Sequence, residues 1–191
     1  FYRYKARGLV IDANGIVNGL MNYLFKSQID PGTNEFFADF GVYDDEEKFY
    51  KKFQTVDCEQ DAIYMIKANA PINTEAHANM QSQLSSGKIK FLEDERIAKT
   101  KLLGTKMGQT MTPEKRAEYL RPFTLTSILK EELMNLREEN EGVNIILKQA
   151  NRSIKKDKFS ALEYGLYYIK TEEDSKKKKK RFVASEWKFF N

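Results

Sequence analysis

The chain has 191 residues, 41% hydrophobic and 31% charged, enough for one large or two small domains that bury about 70% of the unfolded surface. No apolar run approaches the roughly 18 residues of a membrane span, and no charged-then-apolar leader opens the chain. A single cysteine, Cys58, excludes an internal disulfide, and a single histidine, His77, excludes a Cys/His zinc cluster. A Ser-His or Cys-His hydrolase would have to use His77, which lies in a polar stretch that reads as an exposed helix face. The ten glycines form neither of the Gly-rich phosphate-binding motifs. The formal charge of +4 resides in six consecutive cations at 176–181, without which the chain stands at −2. That run reads either as a salt-dependent binder of phosphate or as a solvated tether.

In chain order, Phe1 to Arg7 carries no initiating methionine and reads as the last turns of a helix belonging to a longer polypeptide. Gly8-Leu9-Val10-Ile11-Asp12 is a short unbroken apolar run, the pattern of a strand covered on both faces, with its acid at the C-terminal end. Asn14-Gly15 turns the chain, and Ile16, Leu20 and Leu24 predict an amphipathic helix to about Lys26. Strand, sharp turn and helix make an α/β unit. Residues 30–61 read as a long aromatic-rich connection that opens on the Asp30-Pro31-Gly32 turn and carries a short helix at 46–52.

A second strand is predicted at 62–68, and a polar helix from Thr74 to about Ser86 is stopped by Gly87. Residues 88–92 read as a short edge strand. Gly104, Gly108 and Pro113 predict a mobile segment between helices, with Arg96, Lys99, Lys101 and Lys106 around it as candidate DNA-backbone contacts or ordinary loop cations. The strongest helix places Leu125, Leu129, Leu133 and Leu136 on one face and Lys130, Glu131, Glu132, Arg137 and Glu138 on the other. Residues 143–147 form a strand or extended linker. A final helix follows Lys155-Lys156-Asp157, with Phe159, Leu162, Leu166 and Ile169 on its buried face.

Two acids stand out by position. Asp12 ends the most buried strand, and ligands in open α/β sheets bind beyond the carboxyl ends of strands. Asp157 begins the last helix, whose positive end favours the ionised carboxylate that a cation needs. Each has an ordinary alternative as a helix cap. Glu163 reads as surface, and Cys58 as a small apolar filler.

The string Leu9-Val10-Ile11-Asp12-Ala13-Asn14-Gly15 with its helix is followed in order by Pro71-Ile72-Asn73, Ser86-Gly87-Lys88-Ile89-Lys90-Phe91-Leu92 and the leucine helix. The distal Lys156-Asp157-Lys158-Phe159-Ser160-Ala161-Leu162-Glu163-Tyr164-Gly165-Leu166 completes the set. Together they resemble the nuclease domain of phage large terminase subunits. The resemblance implies an α/β fold, an RNase H-like mixed sheet flanked by helices. It would be N-terminally incomplete, with 1–170 as the nuclease domain and 171–191 as a basic, aromatic tail. It implies an endonuclease of a viral DNA-packaging machine, working in the cytoplasm of an infected bacterial host.

Asp12 would match the family's fourth-strand acid and Asp157 its late-helix acid, both catalytic ligands of Mg2+ or Mn2+. Carboxylates and water suffice for such ions, and two of them about 4 Å apart serve an in-line phosphodiester displacement. The first acid of the family pattern has no counterpart here, so missing strands and an ATPase domain, of the same or a partner chain, would complete the enzyme. Lys155, Lys156 and Lys158 would hold a DNA phosphate or form a solvated face. Double-stranded DNA, the portal ring and the small terminase subunit are the implied partners, with Trp187, Phe189 and Phe190 as a docking peptide or a final strand. The alternatives are a non-catalytic DNA-binding or assembly module and another RNase H-like nuclease, such as a junction resolvase.

Overall fold

The computed structural model describes residues 1, 5–14, 18–44, 50–54, 58 and 60–186, the side chains of 18, 44, 53 and 178–186 excepted. The chain is mixed α/β and falls into two compact units, one of Phe1–Asn73 with Tyr164–Asn191 and one of Thr74–Glu163. The elements in order are β1 (Leu9–Asp12), α1 (Asn18–Leu24), β2 (Gln28–Ile29), β3 (Phe36–Phe37), β4 (Phe40–Asp44), a 3-10 turn at Lys51–Phe53 and β5 (Gln60–Ile66). There follow α2 (Ala70–Ser85), α3 (Glu95–Leu103), α4 (Lys106–Thr110), α5 (Pro113–Met134), β6 (Leu136–Glu141), β7 (Asn144–Gln149) and α6 (Asp157–Glu186). Among the described residues no helix is long and apolar enough to cross a membrane.

The first unit is built on a parallel sheet of order β1-β5-β4. The apolar run Leu9-Val10-Ile11 pairs along β5, Leu9 opposite Ile63 and Asp12 opposite Ile66. On the other side, β4 pairs with β5 through a register shift at Gly41/Val42. Met21 and Phe25 from α1, Phe40 and Val42 from β4, and Ala62 and Ile63 from β5 form the core, with Cys58 packed against it as an apolar filler. The helix α6 joins this unit through the rings of Tyr64 and Tyr168, whose centroids are 4.5 Å apart.

The second unit begins within α2, at Thr74, and ends with the first turns of α6. Asp94, Thr105 and Thr112 cap α3, α4 and α5, each accepting a backbone N–H of the following turn. Ala98, Leu102 and Leu120 make its core. The hairpin of β6 and β7 turns at Gly142, where φ is +62°, a conformation that favours glycine. At the hairpin's base the buried Asn135 accepts from the backbone N–H of Asn151 (2.8 Å) and donates to its carbonyl (2.9 Å). Thr74 accepts the backbone N–H of Ile145 at 3.0 Å.

Several expectations change. Residues 30–61 contain β3, β4 and the start of β5 rather than a bare connection, because Phe40-Gly41-Val42 gains its strand partner only from the distant β5. The helix expected from Thr74 starts at Ala70, with Pro71 in the first turn, where its missing N–H costs nothing. Residues 88–92 are no strand. The segment around Gly104 and Gly108 is a pair of capped helices, with Gly108 buried against the end of α3. Leu125 and Ile169 are exposed. The boundary drawn at 170 falls inside α6, which stays helical through the lysine run. Residues 2–4, Gly15, Ile16, 46–49, Trp187, Phe189 and Phe190 lie outside the described residues.

Along the later part of α6, Lys176 Nζ lies 2.8 Å from Glu172 Oε2. This hydrogen bond is the main reason the Glu172 carboxyl is held below the ordinary glutamate range, and Tyr43 and Tyr168 hydroxyls add to it. A lowered folded-state pKa means the contact stabilises at neutral pH and fades as pH falls through that value. In Lys176→Ala the Glu172 carboxyl is expected to titrate closer to the ordinary glutamate value, read by NMR titration of its side-chain carbon.

Candidate functional site

The parallel pairing of β1 with β5 leaves Asp12 exposed at the carboxyl end of the sheet. Its Oδ1 accepts the backbone N–H of Asn14 at 2.9 Å, an Asx turn. Asn14 in turn donates to the carbonyl of Ala68 at 2.9 Å, and the N–H of Ala13 donates to Ile66 at 2.7 Å. The Tyr50 hydroxyl donates to the Ala13 carbonyl at 3.2 Å. The segment after β1 is thus tied to the segment after β5, and the Asp12 carboxylate is oriented through one oxygen. Its Oδ2 makes no hydrogen bond among the described residues.

Asp157 is the first residue of α6 and is exposed, as are Lys155 and Lys156. The cap of this helix comes from elsewhere. Glu132, 1% exposed on α5, accepts the backbone N–H of Phe159 through Oε2 at 2.9 Å. Its Oε1 lies 3.4 Å from Lys158 Nζ. Lys158 is therefore engaged with a carboxylate while Lys155 and Lys156 point outward as exposed cations. The expectation that Glu132 occupies the solvated face of its helix is corrected: it is 1% exposed and lies three residues after Leu129, beside the leucine stripe rather than opposite it.

Asp12 belongs to the first unit, whereas Asp157 and the three lysines belong to the second, and each group is placed within its own. Among the described residues no three His, Cys, Asp or Glu side chains stand together as a metal-holding group.

The second unit also holds a pair that the residue types concealed. Glu163, expected at the surface, is 2% exposed, and His77, expected on an exposed helix face, is largely covered. His77 Nδ1 and Glu163 Oε1 face one another as a hydrogen-bonded pair. The imidazole lies 6.4 Å, centroid to centroid, from the Phe159 ring. The pair borders a cavity of about 220 Å³ lined chiefly by Met80, Leu84, Leu133, Ile145 and Leu147. Spacing carried the signal: Glu163 follows buried Phe159 by four residues, and His77 precedes buried Met80 by three, so both share faces that must be covered.

Compared with protein-family models, curated proteins and solved structures, the chain matches none of them.

Proposed function

We propose that the chain is the divalent-metal-dependent DNA endonuclease domain of a viral packaging terminase, RNase H-like in fold and working in the host cytoplasm. Asp12 and Asp157 are its metal ligands. The observation that supports this reading most is Asp12 itself, an exposed carboxylate at the carboxyl end of a parallel sheet, oriented through one oxygen while the other makes no hydrogen bond among the described residues. Exposed carboxylate oxygens are the donors that Mg2+ and Mn2+ prefer. Two such ions, when bound, lower the pKa of an attacking water and stabilise the leaving 3′ oxygen. The protein's own share is to hold Asp12 by the Asn14 N–H, to present Asp157 on the first turn of α6, and to offer Lys155 and Lys156 to the phosphate backbone.

In the full-length protein, plasmid cleavage with Mn2+ is expected to fall at least about a hundredfold in Asp12→Ala and in Asp157→Ala, with unchanged circular dichroism. Cleavage at the original rate in both variants would sink the reading.

A second reading, a DNA-binding or assembly module without catalysis, is favoured by α6 continuing as helix through the lysine run. It predicts DNA affinity that drops steeply with salt and with deletion of 176–181, and no rise of melting temperature with Mn2+.

A further inference from the structure

We infer that the cavity beside His77 and Glu163 binds a small organic ammonium ion, the charge held by this pair and the apolar body by Met80, Leu147 and Phe159; the site uses neither Asp12 nor Asp157. Every residue around it belongs to the second unit. Met80, Phe159 and Glu163 are buried, whereas Glu138 is exposed, so the cavity runs from an exposed carboxylate to a buried one. At about 220 Å³ it is smaller than the roughly 300–1,000 Å³ of sites for drug-sized molecules, which sets the ligand at about the size of a single ring with a short arm.

An ionised carboxylate only accepts, so the bond between Glu163 Oε1 and His77 Nδ1 takes its hydrogen from the imidazole, and in the neutral ring Nε2 is then an acceptor as well. Glu163 Oε2 and His77 Nε2 make no hydrogen bond among the described residues. Two acceptors at a buried pair call for a donor. Among the described residues, those around the cavity include two carboxylates, Glu138 and Glu163, and no lysine or arginine. A ligand ammonium answers both demands: it carries several N–H donors, and it brings a countercharge to a carboxylate that is 2% exposed. An alcohol offers one donor and no charge, and a ligand carboxylate adds a further negative charge.

The probes are benzylamine, benzyl alcohol, benzoate and toluene, one ring with four different ends, each added to the full chain at neutral pH. Binding is read by NMR from the methyl resonances of Ile145 and Leu147 and from the imidazole nitrogens of His77. Benzylamine is expected to bind with a dissociation constant of about a millimolar, the range open to so small a ligand, and to move both sets of signals. Benzyl alcohol and toluene are expected to bind at least about tenfold more weakly, and benzoate not at all. Glu163→Gln keeps the shape and removes the charge, so benzylamine weakens about tenfold and falls level with benzyl alcohol. Glu139→Gln removes the same charge from the opposite face of the hairpin, where Glu139 pairs with Lys148, and leaves the affinity unchanged.

If Glu163→Gln is too unstable to purify, the four probes on the parent chain carry the test alone. Equal binding of benzylamine, benzyl alcohol and toluene overturns the inference, because the cavity is then apolar space and nothing more. Benzyl alcohol or benzoate binding as tightly as benzylamine overturns it as well, since His77 then carries the countercharge itself and Nε2 donates. No shift with any probe, which leaves water as the occupant, or an unchanged benzylamine affinity in Glu163→Gln, does the same.

Discussion

Gly108→Ala is expected to destabilise the unit of residues 74–163 by about 3 kcal/mol, the upper part of the usual range for forcing atoms into a packed site. A Cβ built on Gly108 would lie 2.0 Å from the carbonyl oxygen of Leu102 and 2.6 Å from its carbonyl carbon. Both are backbone atoms, and Leu102 is itself 4% exposed in the core beside Ala98 and Leu120. No flexible side-chain end can swing aside, so α4 must lift from the end of α3. The movement also draws on the cap of α4, where Thr105 Oγ1 accepts the Gly108 N–H at 3.0 Å. Hydrogen exchange of residues 95–134 under increasing urea measures the loss. A midpoint equal to the parent's would mean that the junction between α3 and α4 opens without cost.

His77→Ala is expected to cost a similar amount, about 3 kcal/mol, by a different cause. The carboxylate of Glu163 is 2% exposed, and His77 is its hydrogen-bond partner. Removing the imidazole leaves a buried acid beside Phe159 and the aliphatic wall of the cavity. Replacing both residues together, His77→Leu with Glu163→Leu, is expected to recover most of the loss, because two apolar side chains leave no charge to compensate. Urea midpoints of His77→Leu, Glu163→Leu and the double variant give the coupling directly. Additive losses would show that the pair contributes nothing beyond its separate packing.

The parts of this fold that were legible in the sequence are those decided locally. Leu9-Val10-Ile11 and the run through Ile63 and Ile66 announce strands, because each is apolar and bounded by turn residues. The final helix was legible from Phe159, Leu162 and Leu166. The strand β4 was hidden because Phe40-Gly41-Val42-Tyr43-Asp44 is short, contains a glycine and pairs only with a segment some twenty residues later. The helix α4 and the first turns of α5 were missed for a related reason. Gly104, Gly108 and Pro113 looked like breakers, while Thr105 and Thr112, each three residues ahead of the N–H it accepts, were the better guide.

At the candidate site, Asp12 was legible through topology, since an acid that ends a parallel strand sits where ligands gather. Glu132, Glu163 and His77 were not. Their polar character argued for solvent, and only their spacing from Leu129, Phe159 and Met80 argued for burial. When charge and periodicity disagree, as at these three residues, the disagreement marks a buried polar contact.

The hairpin of β6 and β7 is secured at its root by Asn135 and, just past its turn, by Thr74 on Ile145, whereas Val143 at its apex is 94% exposed. Neither anchor involves the turn residues Gly142 and Val143 themselves. An epitope tag or fluorophore-labelling peptide grafted between Gly142 and Val143 should therefore be accommodated, making this apex a handle for tethering the protein to a surface or following it in single-molecule measurements.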